Sequence, residues 1–301
     1  MAGGAATDKA LRKARFAPYG LLSPGVIWLV LFFLVPLYTL GKIALSVKPS
    51  AFQPTYDFTW AWSNFGDALS DNADVLIRSF VYAGVATVAC ILLGYPLAYF
   101  VAFRGGKYRN LVLGLIVLPF YTSFLIRTLA WKSLFADHGP IVSTLKSLHL
   151  TGLLESVGLM QNGGFLNTSV AVIGGLTYNF LAFMILPIYV SLEKIDVRLL
   201  DAAQDLYSTP AAAFRKVVLP LSMPGVFAGT LLTFIPSAGD FINAELLGGP
   251  NNAMIGKKIK DLFLTQSNYP TAAALSLVFM VVITAGVLLY AKLLGTEDLA
   301  G

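Results

Sequence analysis

The sequence predicts an all-α polytopic membrane protein of six transmembrane helices. Two observations carry this. Of its 301 residues, 56% are hydrophobic and only 12% charged, with a mean hydropathy of +0.72; a soluble domain carries about 25% charge. The apolar residues also fall into six long runs, each near the roughly 20 residues that a spanning helix needs. None shows the polar/apolar alternation of a membrane barrel strand.

Residues 1–22 read as an N-terminal tail, small, polar and basic through Lys9, Arg12, Lys13 and Arg15. The first span is expected over Pro24–Leu45. Its apolar run is longer than the core of a signal peptide and lacks a small-residue cleavage site, so it reads as a retained anchor. The next spans are expected over Arg78–Phe103, Arg109–Trp131, Thr168–Leu192, Pro220–Phe241 and Thr271–Leu294. Residues 23–294 thus form a single transmembrane domain, with 193–219 as a large loop and 295–301 as a C-terminal tail. Pro36, Pro96, Pro119, Pro187 and Pro236 lie inside spans. In a bundle, neighbouring helices can satisfy the carbonyls that proline frees; such kinks suit either a pathway that opens and closes or a static bend. Gly225 and Gly229 have the small-xxx-small spacing of close helix packing, within the subunit or against a partner.

Lysine and arginine in short loops set orientation. They concentrate in the N-terminal tail, in the second loop (Arg104, Lys107, Arg109) and in the fourth (Lys194, Arg198, Arg215, Lys216). Both termini and these two loops are therefore expected in the cytoplasm. The opposite loops are long. Val47–Ile77 is acidic and holds Trp60, Trp62 and Phe65 for the interface; Lys132–Asn167 is irregular, with one short helix expected around Ile141–Leu148.

Several functions lack their residues. The chain has no phosphate-binding Gly-x-x-x-x-Gly-Lys-Ser/Thr loop and no His-Glu-x-x-His. No catalytic cluster converges, so the chain reads as a non-enzyme. The single cysteine, Cys90, excludes a disulfide framework and reads as a packing residue. His138 and His149 stand without ligand neighbours, and no metal site is assigned. The charge of +5 is assigned to topology in lipid rather than to nucleic acid. Ionisable residues inside spans are scarce, with Arg127 and Asp240 near span ends, whereas an ion-coupled carrier holds several in its core. Six spans without a nucleotide loop or a coupling cluster suggest half of a larger machine.

The fourth loop supplies the rest. Glu193–Leu219 reads as two short helices joined by a turn, one with Leu199, Leu200, Ala203 and Leu206 on a face, the other with Phe214, Val217 and Val218. Mixed charge fits docking into a protein groove better than adhesion to anionic lipid. Asp201-Ala202-Ala203, followed by Val217-Val218-Leu219-Pro220, resembles the Glu-Ala-Ala motif of ABC importer permeases. Leu118-Pro-Phe-Tyr-Thr-Ser-Phe-Leu-Ile-Arg-Thr-Leu-Ala-Trp-Lys132, Tyr178-Asn-Phe-Leu-Ala-Phe-Met-Ile-Leu-Pro187, Leu192-Glu-Lys-Ile-Asp196, Leu246-Leu-Gly-Gly-Pro250 and Met254-Ile-Gly256 resemble the spermidine/putrescine permeases of the first permease type. One departure is Tyr207, which stands where the motif has glycine; the turn then moves to Ser208-Thr209-Pro210 or differs in shape.

The resemblance implies a type I ABC importer permease fold with a cytoplasmic coupling helix, in a bacterial cell membrane. It implies that Asp201, Ala202, Ala203, Asp205, Leu206 and Tyr207 meet an ATPase subunit dimer. ATP and magnesium belong to that ATPase, and this chain binds no cofactor. The further implied partners are a second permease subunit in a heterodimer, an extracytoplasmic solute-binding protein and membrane lipid. The implied substrate is a polyamine. Such a cation needs carboxylates for its ammonium groups and aromatic faces for its methylenes. Candidates for the pathway are Asp240, Glu245, Tyr121, Trp131 and Tyr178. The competing role for Asp240 is a local cap or a pair with Arg127 or Lys132; for the aromatics, it is packing against lipid. Lys257, Lys258 and Lys260 near the outer mouth oppose a polycation. A permease for another small organic solute, a self-sufficient carrier or channel, and a membrane-integrated enzyme are the alternatives.

Overall fold

The computed structural model describes residues 21–47, 56–156, 158–161, 163–196, 198–199 and 209–293. The tails at 1–20 and 294–301, and the residues expected to meet an ATPase, Asp201, Ala202, Ala203, Asp205, Leu206 and Tyr207, lie outside the described residues. The chain divides into two compact units, Met1–Ser70 with Ser267–Val278, and Asp71–Gln266 with Phe279–Gly301.

In the first unit, the first span is the helix Leu21–Ala44, whose most apolar stretch is unburied along its whole length. A helix that is apolar all round and uncovered suits lipid or a partner subunit. Beyond it, Ser46–Val47 pairs antiparallel with Asp57–Phe58, and the short helix Ser63–Ser70 follows. Asn64 closes this turn by donating to the carbonyls of Ala44 (2.8 Å) and Ser46 (2.9 Å). Exposed Phe58, Trp60 and Trp62 and half-buried Phe65 form an aromatic ladder, with successive ring centroids 4.8, 6.3 and 5.9 Å apart.

The second unit holds the second to fifth spans and most of the sixth. The second span, Ala73–Arg104, has 32 residues. At 1.5 Å each it rises about 48 Å, more than a hydrocarbon layer of roughly 30 Å. Thr168 opens the fourth span, Ser169–Glu193, by accepting a hydrogen bond from the Ala171 N–H at 3.2 Å. Thr209 likewise caps Ala212 N–H ahead of Pro210, the sequence signature of a helix start. The fifth span therefore runs from Pro210 to Ala238 and begins earlier than the apolar pattern predicts. The second amphipathic segment of the fourth loop, with Phe214, Val217 and Val218, is its first turns. The sixth span is Tyr269–Leu293.

The fourth span is the most buried of these helices and lies against the second and the fifth. Its core has two parts. At one end Tyr95, Val101, Ile188, Leu192 and Val218 pack together; at the other, Tyr82, Phe135, Val172, Leu176, Leu247 and Met254 do. The second and fourth spans thus run in one direction and the fifth in the other. Tyr95 and Ser222 hydroxyls meet at 2.7 Å, and fully buried Cys90 donates to the Thr177 carbonyl. A Cβ on Gly225 would lie 2.5 Å from the Pro187 carbonyl oxygen, and one on Gly229 would lie 2.8 Å from Met184 Sδ. The small-residue spacing therefore serves contact between the fifth and fourth spans inside the subunit.

The third span differs from the continuous helix expected over Arg109–Trp131. It is a helix pair, Gly106–Tyr121 and Phe124–Ser147, bent by 94°. Leu118–Tyr121 tightens into a 3₁₀ turn carrying Pro119, and Thr122 and Ser123 are extended (ψ 148° and 137°). The Thr122 hydroxyl donates to the Pro119 carbonyl at 2.7 Å and holds the break. Among the described residues, five helices are long and apolar enough to span alone, and this pair makes up to six. Elsewhere the chain absorbs proline by widening a helical turn. The π-turns Val30–Leu34 and Phe214–Val218 sit just before Pro36 and Pro220, where the ring would strike the carbonyl four residues back.

The far member of the pair consists of the helix Phe124–Phe135 and, after turns at 136–139, the expected short helix Pro140–Ser147; a second short helix, Thr151–Ser156, follows.

Candidate functional site

The pathway candidates fall at the end of the bundle opposite the basic loops. Asp240 follows the fifth span and is 8% exposed. Its Oδ1 accepts the backbone N–H of Asn243 at 2.7 Å and so caps the short helix Ile242–Leu246. This is the local capping role that competes with a pathway role. Asn243 then joins Asn179 of the fourth span: Asn179 Nδ2 lies 3.2 Å from Asn243 Oδ1 and 3.1 Å from Thr128 Oγ1. Thr128, Asn179 and Asn243 are fully buried. One amide thereby ties the bent third span, the fourth span and the segment after the fifth into a single polar joint. Polar side chains in a membrane bundle bond across helices in this way.

Around the joint stand aromatics. Trp131 meets Tyr178 edge to face at 5.2 Å and Phe135 at 5.0 Å. Trp131 thus packs within the core at this end rather than against lipid. Tyr178 also lines a cleft of about 150 Å³ with Arg127, Phe120 and Leu181. The Arg127 guanidinium lies over the rings of Phe120 (5.0 Å) and Phe124 (5.6 Å). Arg127 makes no ion pair with Asp240 among those the described residues form. Tyr121 stands apart, at the bend and 85% exposed.

Glu245 belongs to a second cluster. Lys257 and Lys260 approach its Oε2 at 2.7 and 3.1 Å, and Lys257 also reaches Asp261 Oδ2 at 2.9 Å. The hydrogen bonds of Lys257 and Lys260 hold the Glu245 carboxyl below its usual value. Burial opposes the charge on Lys257, but its bonds to Glu245 and Asp261 outweigh this and raise its pKa. Two of the three lysines that would repel a polycation are thus neutralised in place, and Glu245 is engaged by them.

The glycine-rich Leu246–Pro250 turn and Met254-Ile255 pack this end together. Leu247, Met254 and Ile255 are fully buried. The second span holds them: Ser79 Oγ accepts the Ile255 N–H at 2.7 Å, and the Tyr82 hydroxyl meets Asn252 Oδ1 at 2.7 Å. Of the five pathway candidates, Trp131 and Tyr178 touch, Asp240 connects through Asn243 to Asn179 and Thr128, and Glu245 pairs instead with the lysines while Tyr121 lies at the bend. Sequence reading missed Thr128, Asn179 and Asn243. Their signal was amides and a hydroxyl in or beside apolar spans, where unpaired polarity is costly.

Comparison with known proteins agrees with this architecture. Residues 91–294 match the family described as binding-protein-dependent transport system inner membrane component. The chain is 38% identical over 264 residues to the spermidine/putrescine transport system permease protein PotB of Haemophilus influenzae, covering 87% of this chain and 89% of that protein. It is 36% identical over 265 residues to the permease of the same description from Escherichia coli, covering 87% and 92%. Among solved structures it resembles a chain of a bacterial ABC transporter involved in the import of the acidic polysaccharide alginate. The TM-score is 0.69 at 16% identity, over 95% of this chain and 98% of that one. At that identity the likeness concerns the fold alone.

Proposed function

The chain belongs to the binding-protein-dependent transport system inner membrane components, as a multi-pass permease subunit of an ABC importer, and we propose that its solute is a polyamine, spermidine or putrescine. The near full-length likeness to permeases named for those two solutes carries this reading. The site chemistry supports it. One end of the bundle holds a buried carboxylate, Asp240, bonded to Asn243, the buried Thr128–Asn179–Asn243 joint, and the Trp131–Tyr178 aromatic pair. Aromatic faces attract cations. Lys257 and Lys260 of the outer cluster are balanced by Glu245 and Asp261.

In this reading the chain is a non-catalytic channel subunit. An ATPase dimer, carrying ATP and magnesium, docks on Asp201, Ala202, Ala203, Asp205, Leu206 and Tyr207. A second permease chain completes the pathway as a heterodimer, and an extracytoplasmic binding protein delivers the solute. Both termini and the docking loop face the cytoplasm, by the excess of basic residues there. The test is competition in cells carrying the complete transporter. Excess unlabelled putrescine or spermidine should suppress uptake of labelled spermidine, and excess neutral sugar should not. Uptake of spermidine unchanged by deletion of this permease would refute the polyamine reading.

Asp240 gives a sharper prediction. Asparagine in its place keeps the oxygen that caps Asn243 and removes only the charge. Asp240→Asn should assemble normally and take up spermidine about tenfold more slowly, a change of about 1.4 kcal/mol. Uptake and yield of the complex are compared in parallel. Wild-type uptake in the assembled variant would leave the carboxylate as a cap alone.

A further inference from the structure

The docking loop is gripped at both ends, and by different spans. At its exit, Phe214 packs edge-on against Tyr95 and Tyr99 of the second span, each with centroids 5.7 Å away. At its entrance, the fourth span ends at Glu193, and Arg109 holds that end. The Arg109 Nη2 pairs with Glu193 Oε1, its Nε donates to the Tyr189 hydroxyl, and its guanidinium lies 5.1 Å from the Tyr189 ring centre. Tyr189 is 5% exposed and belongs to the core at this end. Arg109 is the first residue of the helix Arg109–Val117, so this contact joins the loop entrance to the near half of the bent third span. The far half carries Thr128 and Trp131, which meet the fourth span at the candidate pathway.

We infer that Arg109 is the positioning residue that makes the third span follow the docking loop, by gripping Glu193 and Tyr189 at the loop entrance. The inference rests on the reading that residues 201–207 dock the ATPase. The physical case is one of stiffness and polarity. Leu192 and Ile195 at the loop entrance are buried beside Tyr189, so displacement of the loop moves a packed unit. The guanidinium presents a rigid fork that engages two partners at once. The aromatic grip on Phe214 transmits to the second span, which is continuous. The Arg109 grip transmits to the span that is broken at Thr122–Ser123, where a change of angle needs only the extended backbone there to turn. Hinges absorb such changes at a few element-terminal residues.

The test uses the assembled complex with its ATPase. Thr122, exposed at the bend, is replaced by cysteine, and its labelling by a polar maleimide is timed with and without ATP and vanadate. Native Cys90 is fully buried and serves as the silent background. In the wild-type frame the labelling rate should change when nucleotide is trapped. With Arg109→Gln added, that change should disappear while the ATPase still co-purifies. The exchanged pair Arg109→Glu with Glu193→Arg should restore much of it, which a merely structural role would not do. A nucleotide-dependent change that persists in Arg109→Gln would overturn the inference, as would failure of the exchanged pair to exceed Arg109→Glu alone. Loss of the ATPase from Arg109→Gln would make Arg109 part of docking rather than transmission. A wild-type chain that never retains the ATPase would sink the docking reading itself.

Discussion

Asp201→Lys is expected to strip the ATPase from the complex and to abolish uptake, while the spans remain folded. The substitution reverses a charge in the Asp201-Ala202-Ala203 motif, on the amphipathic segment between the fourth and fifth spans. A like-charge contact in a desolvated interface costs several kcal/mol; about 3 kcal/mol weakens binding roughly 100-fold. The spans draw their stability from the two core clusters, built on the second, fourth and fifth spans and the segments beside them. Co-purification of the ATPase and uptake by the complex are the two readouts, with circular dichroism of the purified chain as the control for folding. If both readouts match the wild type, Asp201 is a solvated residue and the docking assignment fails.

The second large effect is structural. Gly225→Val should collapse the yield of folded protein, because its Cβ would stand 2.5 Å from the Pro187 carbonyl oxygen and 2.5 Å from Ser191 Oγ. One obstacle is backbone and cannot rotate away. Overpacking of a close interface costs about 1–3 kcal/mol, and more where backbones must separate; here the separation would fall between the fifth span and the most buried helix. The matched control is Gly84→Val in the second span, where a Cβ meets nothing within 4 Å. Thermal unfolding of both purified variants in detergent should place Gly225→Val well below Gly84→Val. Equal midpoints would mean that the fourth and fifth spans do not pack through Gly225.

Much of this was legible in the sequence. Apolar runs locate spans because a bilayer demands them, and their edges move by only a few residues: the fourth was expected over Thr168–Leu192 and is Ser169–Glu193. The fifth is the exception. Arg215 and Lys216 interrupt hydropathy without interrupting the helix, so the pattern begins late at Pro220. The break in the third span was not legible either. Pro119 resembles Pro96, Pro187 and Pro236, which stay inside helices; what differs is the extended pair Thr122–Ser123. Among the pathway candidates, Asp240, Trp131 and Tyr178 fall at one end of the bundle. The sequence could not pair Glu245 with Lys257 and Lys260, because the turn at Leu246–Pro250 brings them together. Nor could it join Asn179 to Asn243 or Arg109 to Glu193, which only the packing of separate spans makes neighbours.

This chain should move a polyamine only as part of an ATP-driven assembly. Reconstitution in proteoliposomes tests it most directly, with labelled spermidine, the binding protein and enclosed ATP. The chain with its partner permease and ATPase should concentrate spermidine inside, and the chain alone should neither hydrolyse ATP nor accumulate the label. Uphill uptake by the isolated chain would show that it needs no ATPase, and an assembled complex that hydrolyses ATP yet leaves spermidine outside would show that its solute is not a polyamine.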